Sequence, residues 1–210
     1  MRFWAEDVKW LGLQGYRPLH SRMVQQRDDV LAGSAPSEIW LVQHKPVITL
    51  GKNAKVQNLL FSKEDIEQHK GIKVVEVERG GDATYHGPSQ LMVYPIGKIG
   101  NVVTFLTRFA TVFIDVLQRF GINNATWQEN PAGIWVGNRK IIACGLHIRK
   151  QVVMHGFALN VKKTGHWDLI NPCGIKGSVP TSVEEETESG LEIEDVAMSM
   201  KEILTEKFCK

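Results

Sequence analysis

At 210 residues, with 43% hydrophobic and 23% charged side chains, the chain suits a single globular domain over residues 1–210 and excludes a fibrous or disordered protein. Lys+Arg 25 against Asp+Glu 23 leaves a net charge of +2, too small for the basic stripe of a nucleic-acid binder. Glu6 and Asp7 interrupt the N-terminus before a signal-peptide core can form, and Arg108 and Asp115 break the most apolar long stretch, so neither export nor membrane insertion is expected.

In chain order, apolar residues recur at helical spacing over residues 16–31, with Gly33 placed to stop the helix. Residues 38–44 and 47–50 read as two short strands, or one kinked strand, divided by Pro46. Ser62 and Asp65 form a capping-box pattern opening a brief helix that ends near Gly71. A strand over residues 72–78 leads into Arg79-Gly80-Gly81-Asp82-Ala83-Thr84-Tyr85-His86, a glycine-rich turn crowded with hydrogen-bond donors, and residues 90–96 leave it as another strand. The glycines are expected to reach positive φ and to let a ligand approach closely.

Residues 103–120 carry a wide apolar face at 3.6-residue periodicity, closed by Gly121, and predict the central packed helix. Residues 134–136, 140–148 and 152–161 predict a three-stranded meander. Residues 162–181, rich in Gly, Pro, Asn and Ser, form a long loop of the kind that carries function. Residues 184–188 read as a solvated acidic surface, and a last helix runs from Ile193 to Phe208. Strand pairs mixed with helices, without regular βαβ alternation, give an α+β fold with a mixed sheet and flanking helices.

No G-x-G dinucleotide fingerprint, P-loop or zinc-ligand spacing occurs, so neither a cofactor nor a metal is expected. Three cysteines without paired spacing suit reduced thiols in a cytoplasmic setting. Cys173, in Asn171-Pro172-Cys173-Gly174, sits in a glycine-bordered turn of the long loop, where a thiol can react if a nearby base or cation favours its thiolate. Cys144, in Ala143-Cys144-Gly145, reads as a small buried strand residue, and Cys209 as incidental. His86, His155, His166 and Lys140 are the candidate bases, and spacing leaves the choice among them open.

Taken together, the blocks from Arg79 to Pro88, from Lys140 to Gly145 with His155-Gly156-Phe157-Ala158-Leu159-Asn160, and around Cys173 resemble the lipoyl(octanoyl) transferases. That resemblance implies a biotin/lipoate protein ligase-like fold and a two-step transfer of octanoyl from octanoyl-acyl carrier protein to a lysine of lipoyl domains. The acceptors it implies are the lipoyl domains of 2-oxoacid dehydrogenase complexes and the glycine cleavage H protein, with no membrane or nucleic acid involved and the enzyme acting as a monomer. Cys173 matches the acyl-thioester nucleophile and Lys140 the acid/base. Arg79, Gly80, Gly81, Asp82, Ala83, Thr84, Tyr85 and His86, with Ala143, Cys144, Gly145, Gly156, Phe157 and Ala158, match segments that line the acyl chain. Two positions depart from the pattern: Ser89 replaces a usual glycine, and Cys144 replaces a usual aliphatic residue, so that thiol labelling is expected to give two adducts. The competing readings are an ATP-dependent lipoate or biotin ligase of the same fold and a non-catalytic acyl-binding module.

Overall fold

The computed structural model describes residues 4–164, 166–172 and 180–209. Strand β1 (Asp7–Gln14) runs parallel to β2 (Glu38–His44), and helix α1 (Tyr16–Ala32) bridges them. Gly33, at φ 78, ends α1 in the left-handed conformation, its amide turned back onto the carbonyls of Asp29 and Val30. The chain then leaves the large sheet at Pro46. A second, small sheet of order β4-β3-β5 is built from β3 (Val47–Leu50), β4 (Lys73–Glu76) and β5 (Ala83–His86), with α2 (Lys63–Lys70) between β3 and β4. The two strands on either side of Pro46 thus belong to different sheets, because proline cannot continue the ladder of hydrogen bonds.

Strand β6 (Gln90–Lys98) returns to the large sheet, followed by α3 (Val102–Arg119). Antiparallel strands β7 (Ala125–Glu129), β8 (Ala132–Val136), β9 (Arg139–Arg149) and β10 (Val152–Asn160) complete it in the order β1-β2-β6-β10-β9-β8-β7. Helices α4 (Val183–Thr187) and α5 (Ile193–Phe208) close the chain. Among the described residues, no helix is long and apolar enough to cross a membrane.

Three strands were not anticipated from the sequence. In β1, Gly12 at φ 63 accompanies a register shift between Trp10 and Leu13, which erases the period-2 pattern. Edge strand β7 is mostly exposed, so its alternation carries no signal. Strand β5 is only four residues long and follows a glycine turn. The acidic run is also more than a solvated surface. Ser182 caps α4 by accepting from the Glu185 amide at 3.2 Å, while Glu186 pairs with Arg139 at 2.8 Å and accepts from the Thr181 hydroxyl at 2.6 Å.

The central strands are buried on both faces, and their alternation sorts side chains into two cores. Ile39, Leu41, Leu91, Val93, Val153, Phe157 and Leu159 pack under α3 and α5. On the other face, Trp40, Val42, Met92, Tyr94, Ile96, Met154 and Ala158 pack under Leu19 and Met23 of α1. A ring cluster pins α3 to α5 and to the sheet: Phe109 lies 4.6 Å from Phe208, 4.7 Å from Phe105 and 5.3 Å from Phe157, centroid to centroid. Phe109→Ala is expected to lower stability by about 3–5 kcal/mol, read as an earlier urea midpoint at unchanged slope.

Candidate active site

The small sheet stands over β9 and β10 and encloses a cavity of about 380 Å³. Its floor is set by residue size. Ala143 lies opposite Ala158 and Gly145 opposite Gly156 in the β9–β10 register, so two facing pairs of minimal side chains leave a groove. Cys144, opposite Phe157, also borders the cavity, but its side chain packs with the core under α3 and α5. Burial pushes the Cys144 thiol up to about 12, against the opposing pull of Lys140, so it stays protonated at neutral pH.

The far wall is the turn before β5, and Arg79 holds it together. The buried guanidinium donates from Nε and Nη2 to the Thr49 hydroxyl at 3.1 and 2.8 Å, and from Nη2 to the carbonyls of Thr49 and Asp82 at 2.7 and 2.8 Å. A further bond from Nη1 reaches the Gly80 carbonyl at 2.9 Å. Of the two glycines expected at positive φ, Gly81 is at φ 85 and Gly80 is not; the Gly80 amide instead donates to the Leu146 carbonyl at 2.9 Å, tying the turn to β9. Asp82 accepts from the Ala83 amide and from Asn58 Nδ2 at 2.7 Å, which fixes residues 51–58 against the same wall.

Lys140 stands at the opposite end of the groove. It is buried, with Nζ 4.8 Å from the centre of the Trp135 ring and donating to the Ala132 carbonyl at 3.3 Å. A Cβ on Gly133 would meet the Lys140 Cδ and Cε atoms at 3.3 Å, so the bare backbone there makes room for the lysine stem. A small hollow beside the main cavity is bordered by Lys140, Thr84, Pro172 and Pro180. Cys173 lies outside the described residues; Pro172, which precedes it, does not.

A buried hydrogen-bond chain crosses the sheet from the wall to this end. Asn160 Nδ2 donates to the Thr181 carbonyl at 2.9 Å, so its oxygen is left to accept from Gln90 Nε2 at 2.8 Å. Gln90 Oε1 then accepts from His86 Nδ1 at 3.1 Å, which assigns His86 the Nδ1–H tautomer with Nε2 as the acceptor. Burial, then the Arg79 charge, holds the His86 imidazole well below its ordinary range, so it is neutral. His44 accepts the Tyr94 hydroxyl at Nε2 (2.8 Å), and burial brings it down to about 4.

Of the residues the resemblance assigned to the acyl wall, Arg79, Gly81, Asp82, Ala83, Thr84, His86, Ala143, Cys144, Gly145, Gly156, Phe157 and Ala158 border the cavity. Gly80 does not, and Tyr85 turns the other way, into the small-sheet core with Ile48, Ile66 and Ile72, its ring 4.9 Å from that of His166. His166 is thereby a core contact of Tyr85. Tyr16, Asn53, Met92, Tyr94, Asn130, Pro131, Ala132 and His155 complete the lining. The alternating run around Met92 and Tyr94 was the available signal for two of them. No local pattern marked His155 as a wall residue, because β-strand parity puts it on the α3/α5 face, whereas its backbone is left-handed at φ 58 and it borders the cavity.

A large mixed sheet with a small sheet over it is the architecture of lipoate and biotin protein ligases. Superposition gives a TM-score of 0.68 with a bi-partite lipoate protein ligase from Thermoplasma acidophilum, at 16% identity, covering 96% of this chain and 84% of that one. The Aquifex aeolicus biotin protein ligase in complex with biotin and ATP superposes at 0.54, 11% identity, covering 96% and 70%. The chain belongs to the lipoyl protein ligase A/B catalytic domain family, which matches residues 20–205, and within it to the octanoyltransferases. Over 172 residues it is 42% identical to the octanoyltransferase of Caldicellulosiruptor saccharolyticus, covering 79% of this chain and 73% of that relative. It is therefore an acyltransferase of protein lipoylation.

The buried neutral histidines set an acid limit on the fold. His44 gains its proton at about 6.5 when unfolded but only at about 4 when folded, so its stabilisation is intact above pH 6.5 and is lost as pH falls towards 4. His86 and His155 shift in the same direction, largely through burial. Urea unfolding at pH 5 should show the protein about 2 kcal/mol less stable than at pH 7 from His44 alone, with the other two adding to the loss. A pH-independent midpoint over this range would contradict the assignment.

Proposed function

We propose that this octanoyltransferase takes its acyl group from octanoyl-acyl carrier protein and passes it to a lysine ε-amine of lipoyl domains, through a thioester on Cys173 with Lys140 as acid and base. The observation that carries the reading is that Lys140 and Pro172, the residue before Cys173, border one small hollow at the end of the groove. An ammonium there favours the thiolate. Cys144, the thiol that borders the cavity among the described residues, is held protonated by burial.

In the first half, the Cys173 thiolate attacks the octanoyl thioester carbonyl, the phosphopantetheine sulfur leaves, and Lys140 gives it a proton. In the second, the acceptor amine attacks the acyl-enzyme, Lys140 takes back the amine proton, and the Cys173 thiolate departs, restoring the starting charges. A thioester is consumed and an amide formed, so no ATP is needed. The small-residue floor accommodates the eight-carbon chain and the apolar wall supplies its affinity. His86, fixed by Gln90 and neutral, positions the chain and takes no proton. The acceptors are the lipoyl domains of 2-oxoacid dehydrogenase complexes and the glycine cleavage H protein; the Thermoplasma acidophilum relative by fold was solved as a ligase and its E2 lipoyl domain. Reduced thiols suit a cytoplasmic site of action.

Incubation with octanoyl-acyl carrier protein should add one octanoyl group to the intact mass without ATP, and Cys173→Ala should add none. An adduct that persists in Cys173→Ala, or one that requires ATP, would sink the mechanism. Lys140→Ala should retain its circular dichroism and lose about 10²–10⁴-fold in transfer rate, the usual range for a positioned acid/base. Normal turnover in that variant would remove Lys140 from the chemistry. His86→Ala should weaken octanoyl binding yet still form the Cys173 adduct.

A further inference from the structure

At the inner wall of the cavity, away from Lys140, three side chains from three separate elements converge. His20 comes from α1, Glu78 from the segment between β4 and β5, and His155 from β10. His20 Nε2 lies 3.0 Å from Glu78 Oε2, His155 Nε2 lies 3.6 Å from the same oxygen, and the donor atoms of all three are within 4.8 Å of one another. The His20 and His155 rings are 5.5 Å apart, with their planes inclined at 30°. His155 carries the unexplained feature: its side chain is 2% exposed, its backbone is in the left-handed region, and its Nε2 makes no hydrogen bond among the described residues. A buried ring nitrogen whose facing carboxylate oxygen stands 3.6 Å away, beyond hydrogen-bond reach, on a backbone held in an uncommon conformation, calls for a ligand.

We propose that His20, Glu78 and His155 form a binding site for a divalent transition-metal ion of the zinc class. A tetrahedral ion with ligands at about 2.0–2.1 Å sets neighbouring donor atoms about 3.3 Å apart, between the 3.0 and 3.6 Å found here. Two imidazoles and one carboxylate, with a fourth position for water, match the nitrogen and oxygen preference of zinc; calcium or magnesium would require more oxygen ligands than one carboxylate supplies. His20 and Glu78 are each about a quarter exposed, which gives the ion an entry path and the two side chains room to close on it. The cation next to Glu78 in sequence, Arg79, is turned onto Thr49 and the Asp82 carbonyl. Local spacing could not have shown this site, since His20 and Glu78 are 58 residues apart. An ion here would clamp α1, the Arg79 turn and β10 together.

Titration of the metal-stripped full-length protein with Co²⁺ should show one saturable equivalent with the visible bands of a four-coordinate nitrogen/oxygen site and no thiolate charge-transfer band. Zn²⁺ should displace it and raise the melting temperature. His20→Ala and Glu78→Gln should each weaken binding by about tenfold or more, while Cys173→Ser leaves it unchanged. The proposal is overturned if no saturable binding occurs, if His20→Ala binds as well as the parent, or if the spectrum is that of a thiolate complex lost in Cys173→Ser. Should Glu78→Gln fail to fold, His20→Ala, at a partly exposed helix position, still decides. None of these readouts depends on octanoyl transfer.

Discussion

A single buried guanidinium relates the two sheets. Arg79 gathers the Thr49 side chain and carbonyl from β3 and two carbonyls of its own turn, and that turn is bonded through the Gly80 amide to β9. Charge-assisted bonds to carbonyls that have no water to fall back on are among the stronger ones available, and deleting the donor leaves several acceptors unsatisfied at once. The groove exists only while the small sheet stands at its distance from β9 and β10. The width of the cavity is in this sense a property of Arg79, although Arg79 has no place in the proposed chemistry.

The two ends of the cavity then differ in kind. Near Lys140 the lining offers a cation supported by an aromatic face and a carbonyl. Around His86, Tyr94 and His155 it offers neutral imidazoles and a phenol; His86 donates to Gln90, and Tyr94 donates to His44, which in turn is bonded to the Gln14 carbonyl. Keeping the histidines uncharged lets an apolar chain lie beside them without desolvating ions. It also makes acid the natural way to unfold the protein.

The long helices α1, α3 and α5 and the meander were legible because each obeys one period over many residues: α3 carries its apolar face for five turns between Asn101, whose side chain caps it, and Gly121. Sites that depend on strand parity were less so. Read as a turn, residues 83–86 all belonged to the site; as β5, they divide, with Thr84 and His86 bordering the cavity, Tyr85 in the opposite core and the small Ala83 touching both. His155 was hidden for the converse reason, since its left-handed φ breaks the parity its neighbours keep. Lys140 could be singled out only by its resemblance to a family motif, because its burial comes from Trp135, Gly133 and Ala132 across a hairpin, and no property of its own neighbours in sequence announces that.

The segment that carries Cys173 is bounded by two fixed points. The Asn171 amide is bonded to the Asn58 carbonyl at 2.8 Å on one side, and the Thr181 amide to the Lys140 carbonyl at 3.0 Å on the other. Asn58 also donates to Asp82 at 2.7 Å, and Lys140 belongs to β9, so one anchor is tied to the Arg79 turn and the other to the opposite end of the cavity. A substitution that loosened either end of the cavity would therefore reach the main chain at residues 171 and 181, although neither of them borders it.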